Sequence, residues 1–227
     1  MKNIKVIETK DGSKSLYLPD LDEAYHSHHG ALQESQHVYI KSGIEYLLDR
    51  DHLDSIQIFE MGFGTGLNAF LTAHFARESG LKIFYRTVEK FPITIAEHRS
   101  LDYSTLLTSP GYAEDCHAIA EAAWDQKVEI NPCFVLEKIE GDFFDSSRAD
   151  SSFDLIYFDA FGYRAQSELW EEKAFEVCAS ILRNGGVLVT YAAKGLARRN
   201  MIAAGFEVEK IPGAPGKREM MRATKLP

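Results

Sequence analysis

Cysteine is scarce in this chain: Cys116, Cys133 and Cys178 are the three among 227 residues. An odd count at wide spacing excludes a disulfide framework and gives no zinc-binding pattern, so reduced thiols of the cytosol are expected. The chain does not begin with the charged-then-apolar stretch of a secretion signal, and no apolar run approaches the roughly 20 residues of a membrane span. The expectation is a cytoplasmic protein with no membrane partner. Internal repeats and low-complexity segments are also missing. Positive charge is short as well, and a net charge of −9 argues against a protein coated for nucleic acid. The deficit is uneven. Residues Lys194 to Pro227 hold eight basic and three acidic side chains, a tail of +5 on a body of −14. Such a face either binds phosphate or is solvated charge, and composition does not choose between them.

What is present is a core and an alternation of elements. Apolar residues make up 45% of the chain, and 227 residues suit one α/β domain with little room for a second. Residues 1 to about 20 read as a short β-meander with a turn at Asp11-Gly12. His26 to Gly43 is polar and histidine-rich, then continues into an amphipathic helix ending near Arg50. Strands are expected at Ile56–Glu60, Lys82–Glu89, Phe134–Ile139, Phe153–Phe158 and Val187–Tyr191. Phe153–Phe158 is almost unbroken in its apolar character, as a strand buried on both faces of a parallel sheet should be. Helices are expected at Leu67–Glu78, from Pro92 to about Ser100, at Ser167–Leu182 before the cap Asn184-Gly185-Gly186, and at Lys194–Ala204. Residues 101–132 look like a helical insertion carrying Trp124, broken at Pro110-Gly111 and at Pro132. Phe206–Ile211 and Glu219–Ala223 form a closing hairpin. The alternation predicts an α/β, doubly wound, mostly parallel seven-stranded sheet with a C-terminal antiparallel β-hairpin. Residues 1–50 would form a meander, lid and helix extension, and residues 51–227 the ligand-binding domain.

The most informative segment is Glu60-Met61-Gly62-Phe63-Gly64-Thr65-Gly66-Leu67, an apolar strand running into a loop with glycine at alternate positions. Glycines there allow a sharp turn and let a ligand lie against bare backbone. A dinucleotide fingerprint would need its third glycine at Leu67. The Glu-x-Gly-x-Gly-x-Gly form is instead similar to the loop of class I, Rossmann-like methyltransferases that bind S-adenosyl-L-methionine (SAM). In an open α/β sheet the ligand sits beyond the carboxyl ends of the strands. Glu60 there would face the ammonium end of SAM by charge or through water, with Gly62, Gly64 and Gly66 admitting its amino-acid moiety to the backbone. Glu89 would accept both ribose hydroxyl protons. Asp142 would meet the adenine amino group, and Asp159 would face the methyl-transfer site.

Phe153-Asp154-Leu155-Ile156-Tyr157-Phe158-Asp159-Ala160-Phe161, with Leu169-Trp170 and Phe175, resembles the methyltransferase domain of the MnmC family. Tyr25-His26-Ser27 with Gly30 to Ser35 and Val38-Tyr39-Ile40, the loop from Glu60 to Asn68, and Gly213 to Met220 agree with it, so the likeness covers nearly the whole chain from about Tyr25. The resemblance implies a SAM-dependent enzyme that makes the methylaminomethyl group of a tRNA wobble uridine. Its cofactor residues would be Glu60, Gly62, Gly64, Thr65, Gly66, Glu89 and Asp142, and its catalytic residue Asp159. Asp159 would bind the acceptor ammonium and help its deprotonation, orientation being the larger role. Phe161 and Tyr163 would stack on the flipped base. Glu34 would lie near the SAM carboxylate end or the acceptor amine. Lys194, Arg198, Arg199, Lys217 and Arg218 would contact anticodon-stem phosphates. Trp170 is expected in the core, and His26, His28, His29 and His37 in a polar lid rather than around a metal. Two departures stand out. The chain ends at Pro227 with no place for the family's flavin oxidase domain, so a stand-alone form is expected, with a separate flavin oxidase or tRNA aminomethylation enzymes upstream. Gly162-Tyr163-Arg164-Ala165-Gln166 replaces a usual proline-containing stretch beside the acceptor pocket. The competing reading is a SAM-dependent methyltransferase, or aminopropyltransferase relative, acting on a small amine, which the acidic total charge favours.

Overall fold

The computed structural model describes residues 4–148 and 152–227. Met1 to Asn3, at the start of the expected meander, lie outside the described residues. The meander is a three-stranded antiparallel sheet of β1 (Lys5–Glu8), β2 (Lys14–Leu18) and β3 (Glu23–Ala24). A continuous helical segment follows: α1 (Ala31–Ser35), a π-helical stretch Gln36–Glu45, and α2 (Tyr46–Asp51). The wider turn is accompanied by Ser42 Oγ donating to the His37 carbonyl, five residues back, at 2.8 Å. Gly43 lets this segment approach the main sheet, since a Cβ there would lie 3.3 Å from Leu155 and 3.4 Å from Tyr157 and Val189. Leu16, Val38, Tyr39 and Ile44 share one apolar cluster with Ile58, Leu155 and Val189, so the first 50 residues build the same core as the sheet.

The main sheet then assembles from β4 (Ser55–Met61), β5 (Lys82–Glu89), β6 (Lys127–Asn131), β7 (Phe134–Glu140), β8 (Phe153–Phe158), β9 (Leu182–Thr190), β10 (Phe206–Pro212) and β11 (Glu219–Lys225). Its order is β10-β11-β9-β8-β4-β5-β7-β6, with the middle strands parallel and both edges antiparallel. The helices α3 (Leu67–Ser79), α4 (Ile95–Ser100), α5 (Tyr112–Glu121), α6 (Glu172–Ile181) and α7 (Gly195–Ala203) complete the doubly wound fold. Chain direction diverges between β4 and β8, the place where such sheets open a crevice. Register brings the site together there. Met61 pairs with both Val88 and Phe158, so the residues that follow all three strands leave the sheet at one level. Backbone bonds fix that level, with Gly62 N donating to Val88 O at 3.0 Å and Asp159 N to Met61 O at 3.2 Å.

Four local expectations change. The sheet gains an eighth strand, β6, from the stretch expected to be helical. Lys127-Val128-Glu129-Ile130-Asn131 alternates between exposed and inward residues, which suits a charged edge strand. β9 starts at Leu182 rather than Val187. Asn184-Gly185-Gly186 lies within it as a register shift opposite Phe153 and Leu155, with Gly185 at φ +74°, and does not cap the preceding helix. That helix is α6 alone, because a 3-10 turn at Ser167–Trp170 and extended Glu171 precede it. α4 begins after Thr94, not at Pro92, since Thr94 and Glu97 form a capping box.

Candidate active site

At the carboxyl ends of β4, β5 and β8 lies a cavity of about 780 Å³, roofed by Tyr25 and His26 of the N-terminal segment. Gly62 and Gly64 are in its wall with φ of +89° and +51°. Glu89 braces the loop between them: its Oε2 accepts from Gly64 N at 3.0 Å and its Oε1 from Phe91 N at 2.8 Å. Thr65 also lines the cavity, buried under Tyr103, whose hydroxyl donates to Thr65 Oγ1 at 3.2 Å. Asp142 closes the far side, accepting from Lys90 at 2.8 Å and from Phe144 N at 3.0 Å. The hydrogen bond from Lys90 holds its carboxyl below the ordinary range.

Gly66 is placed differently from the expectation. It is buried ahead of α3, outside the wall, and a Cβ there would sit 2.9 Å from Phe63 Cζ and 3.1 Å from Phe70 Cζ. Its φ of +78° and these rings require glycine for packing. Glu60 also lies beneath the cavity rather than in its wall, and is fully buried. It reaches the site through Asn68, whose Nδ2 donates to Glu60 Oε1 at 3.0 Å and to Asp159 Oδ2 at 2.9 Å. Burial pushes Glu60 up to about 8, against the hydrogen bond from Asn68. Burial likewise pushes Asp159 up to about 6, opposed by the nearby Tyr39 hydroxyl and by the hydrogen bond from Asn68. The floor of the site therefore carries a neutral Glu60 and an Asp159 whose carboxyl is held up to about 6.

Opposite this floor, Glu34 of α1 is buried with Oε2 accepting from Ser27 N at 2.9 Å. Its Oε1 accepts from Lys217 Nζ. The same ammonium lies 4.0 Å from the ring centroid of Tyr191, and the Tyr191 hydroxyl donates to Ala160 O at 2.8 Å. Lys217 thus belongs to the inner site, which corrects its expected place among phosphate-binding cations. The tail as a whole is less free than its composition suggests. Lys210 pairs with Glu219 at 2.7 Å, and Arg222 with Glu209 at 2.8 Å, its guanidinium 3.3 Å from the Tyr46 ring centroid.

The two aromatics expected to share one base are separated. Phe161 lines the first cavity, edge-on to Tyr25 at 4.9 Å. Tyr163 lines a second cavity of about 460 Å³, together with Lys194 and Arg218. Trp170 is buried, donating to Phe161 O at 2.7 Å. The histidines tie the roof down: His26 lies between Ser15 Oγ at 3.0 Å and Thr65 Oγ1 at 3.4 Å, and His37 donates to Pro212 O at 2.8 Å. Burial lowers His26 to about 4, so it is neutral. Among the described residues no cluster of three His, Cys, Asp or Glu side chains could hold a metal ion, and no helix is long and apolar enough to cross a membrane. Sequence reasoning gives no role at the site to Asn68, Tyr39 or Tyr191. Asn68 carried a signal, standing at the second position of the helix that follows the glycine loop.

The chain is similar to several known proteins. A family model described as S-adenosyl-L-methionine-dependent methyltransferase matches residues 109–226. The tRNA 5-methylaminomethyl-2-thiouridine biosynthesis bifunctional protein MnmC of Cupriavidus metallidurans is 30% identical over 97% of this chain and 34% of its own length. The protein of the same name from Methylobacillus flagellatus is 30% identical over 90% of this chain and 33% of its own. The chain therefore spans about a third of these relatives. In three dimensions it is similar to the crystal structure of MNMC2 from Aquifex aeolicus, with TM-score 0.81 and 23% identity over 100% of this chain and 72% of that one. At that identity the likeness speaks for the fold, whose expected class it bears out.

Proposed function

Because the chain belongs to the S-adenosyl-L-methionine-dependent methyltransferase family, we propose that it methylates the primary amine of 5-aminomethyl-(2-thio)uridine at the tRNA wobble position, giving the 5-methylaminomethyl nucleoside. The observation that carries this reading is an acidic, partly dry site already built to hold an ammonium. Lys217 Nζ rests there between the Glu34 carboxylate and the face of Tyr191, within the field of Asp159. The names of the MnmC relatives support the choice of RNA acceptor.

The residues fit the cofactor. The cavity lies within the roughly 300–1,000 Å³ of small-molecule sites, and at Gly62 a Cβ would press on Asp159 O at 3.1 Å. Gly62, Gly64, Thr65, Glu89 and Asp142 would hold SAM, with Glu60 acting from below through Asn68. SAM supplies an electrophilic methyl group on sulfonium. The protein's part is to position and desolvate the acceptor. Asp159 accepts a hydrogen bond from the acceptor ammonium, aims its nitrogen and takes its proton. Asn68 keeps that carboxylate oriented, and Glu34 balances the cation until the proton has gone. Phe161 and Tyr25 close the apolar wall around the base.

A separate reaction must supply the aminomethyl group, and either a flavin oxidase or an aminomethylation enzyme fits that place. The workplace of such a chain is the cytoplasm, where tRNA matures. A small-amine acceptor is the second reading, favoured by the net charge of −9 and by the pairing of Lys210, Lys217 and Arg222 with carboxylates. Supplying labelled SAM together with undermodified tRNA or free alkylamines separates the two. Label in tRNA with little in the amines is expected, and label confined to the amines would overturn the tRNA reading.

A further inference from the structure

A second cavity lies next to the first and has its own chemistry. It sits where the loop after β8, the end of β9 and the first turn of α7 meet. Three aromatic rings line it: half-buried Tyr163 and Tyr191, and buried Trp170. Leu196, 38% exposed, stands at the mouth. The polar groups of the lip are cationic. The Lys194 ammonium lies 5.8 Å from the Tyr163 ring centroid, and Arg218 is exposed beside it. The one lip carboxylate, Glu219, is engaged by Lys210 at 2.7 Å. Gly162, Tyr191 and Lys217 line both cavities, so the second adjoins the first across a thin partition.

We propose that this second cavity binds one unstacked nucleobase of single-stranded RNA, the neighbour of the acceptor nucleotide, with Lys194 and Arg218 receiving its phosphate. The inference rests on the reading that the first cavity takes the acceptor nucleotide. The chemistry selects the occupant. Flat aromatic walls hold any base by its π face, and cations at the rim complement a phosphate. A volume of about 460 Å³ admits one base and excludes a paired helix. The partition spaces two consecutive nucleotides, so RNA must be splayed to fill both cavities, as recognition of single-stranded loops requires. Tyr163 and Phe161 then serve two neighbouring bases, which gives a reason for their separation.

The test uses a uridine-rich RNA pentamer carrying 2-aminopurine next to its central uridine, mixed with the full chain saturated with the demethylated cofactor product. Fluorescence anisotropy reads binding, and quenching of 2-aminopurine reads stacking. Wild-type protein should bind and quench, and a paired duplex of the same strand should do neither. Ala192→Phe, which fills the cavity, and the pair Lys194→Ala with Arg218→Ala should each raise Kd by about tenfold or more, the loss of one stacked base or its phosphate anchor. The filled variant should also lose the quenching. Cofactor-product affinity, measured by titration calorimetry, should stay within about twofold of wild type and certify folding. Absence of binding or quenching in wild type, or wild-type Kd in both altered proteins, overturns the proposal. Methyl transfer to the free nucleoside 5-aminomethyluridine is scored separately. Its failure counts against the acceptor reading of the first cavity, whereas the pentamer measurements decide the second.

Discussion

Asn68 holds two carboxyls with one amide, and that geometry divides their work. Glu60 is buried and neutral near pH 7, whereas Asp159 faces the cavity and is ionised above about 6. Burial raises Glu60 from its ordinary 4.5 to about 8. Across that interval the folded protein binds more protons than the unfolded chain, so this group's contribution to stability falls as pH rises from 4.5 towards 8. Glu60→Gln removes the titration, and the decline of Tm between pH 5 and 8, followed by calorimetry, should become shallower. Asp159 follows the same sign for stability but the opposite one for catalysis, since only its ionised form takes a proton. Turnover should fall as pH drops through about 6. Asp159→Asn should retain cofactor affinity and lose on the order of 10²-fold or more in kcat. Near-wild-type kcat in that protein would leave Asp159 a strand-end cap. The positions of Glu60, Glu89, Asp142 and Asp159 at or just beyond strand ends were legible in the sequence, although Glu60 turns beneath the cavity. The roles of Asn68 and Lys217 were not, because Lys217 meets Glu34 across 183 positions of chain.

The elements that close the site are the N-terminal helical segment and the β10–β11 hairpin. Among the described residues three polar contacts join them: Glu34 to Lys217, His37 to Pro212 O at 2.8 Å, and Arg222 to Ser42 O at 3.5 Å. Glu34 is the more buried partner, so losing Lys217 leaves a carboxylate short of its counter-ion. Lys217 keeps 29% exposure, which reduces the cost. A double-mutant cycle with Glu34→Gln and Lys217→Met, read by chemical denaturation, should give a coupling of about 0.5–3 kcal/mol. Simple additivity would show that the pair does not fasten the hairpin to the helix. At this scale the parallel strands were readable from nearly unbroken apolar runs such as Phe153–Phe158. β6 and the early start of β9 were not. A five-residue edge strand with two charges gives a weak period, and Gly185-Gly186 signals a turn as strongly as a bulge.

For the whole molecule, charge was the least legible property. The sequence shows a tail of +5; in the fold its Lys217 pairs with Glu34 of the body, while Lys210 and Arg222 pair within the tail with Glu219 and Glu209. Folding leaves Lys194, Arg198, Arg199 and Arg218 exposed. Two of them, Lys194 and Arg218, edge the second cavity, so cation and aromatic surface converge beside the first. On the proposed reading this arrangement would reconcile an acidic protein with an RNA substrate, because a short basic rim can position an RNA loop without a basic coat. The central claim is that the acidic site methylates an amine on one nucleotide of that loop. Mass spectrometry of nuclease fragments tests it directly, after undermodified tRNA has been incubated with the protein and isotopically labelled SAM. The account predicts one labelled methyl group in the anticodon-loop fragment, on the aminomethyl nitrogen of the wobble uridine. A labelled methyl group elsewhere in the tRNA, or none while free amines are methylated, would contradict it.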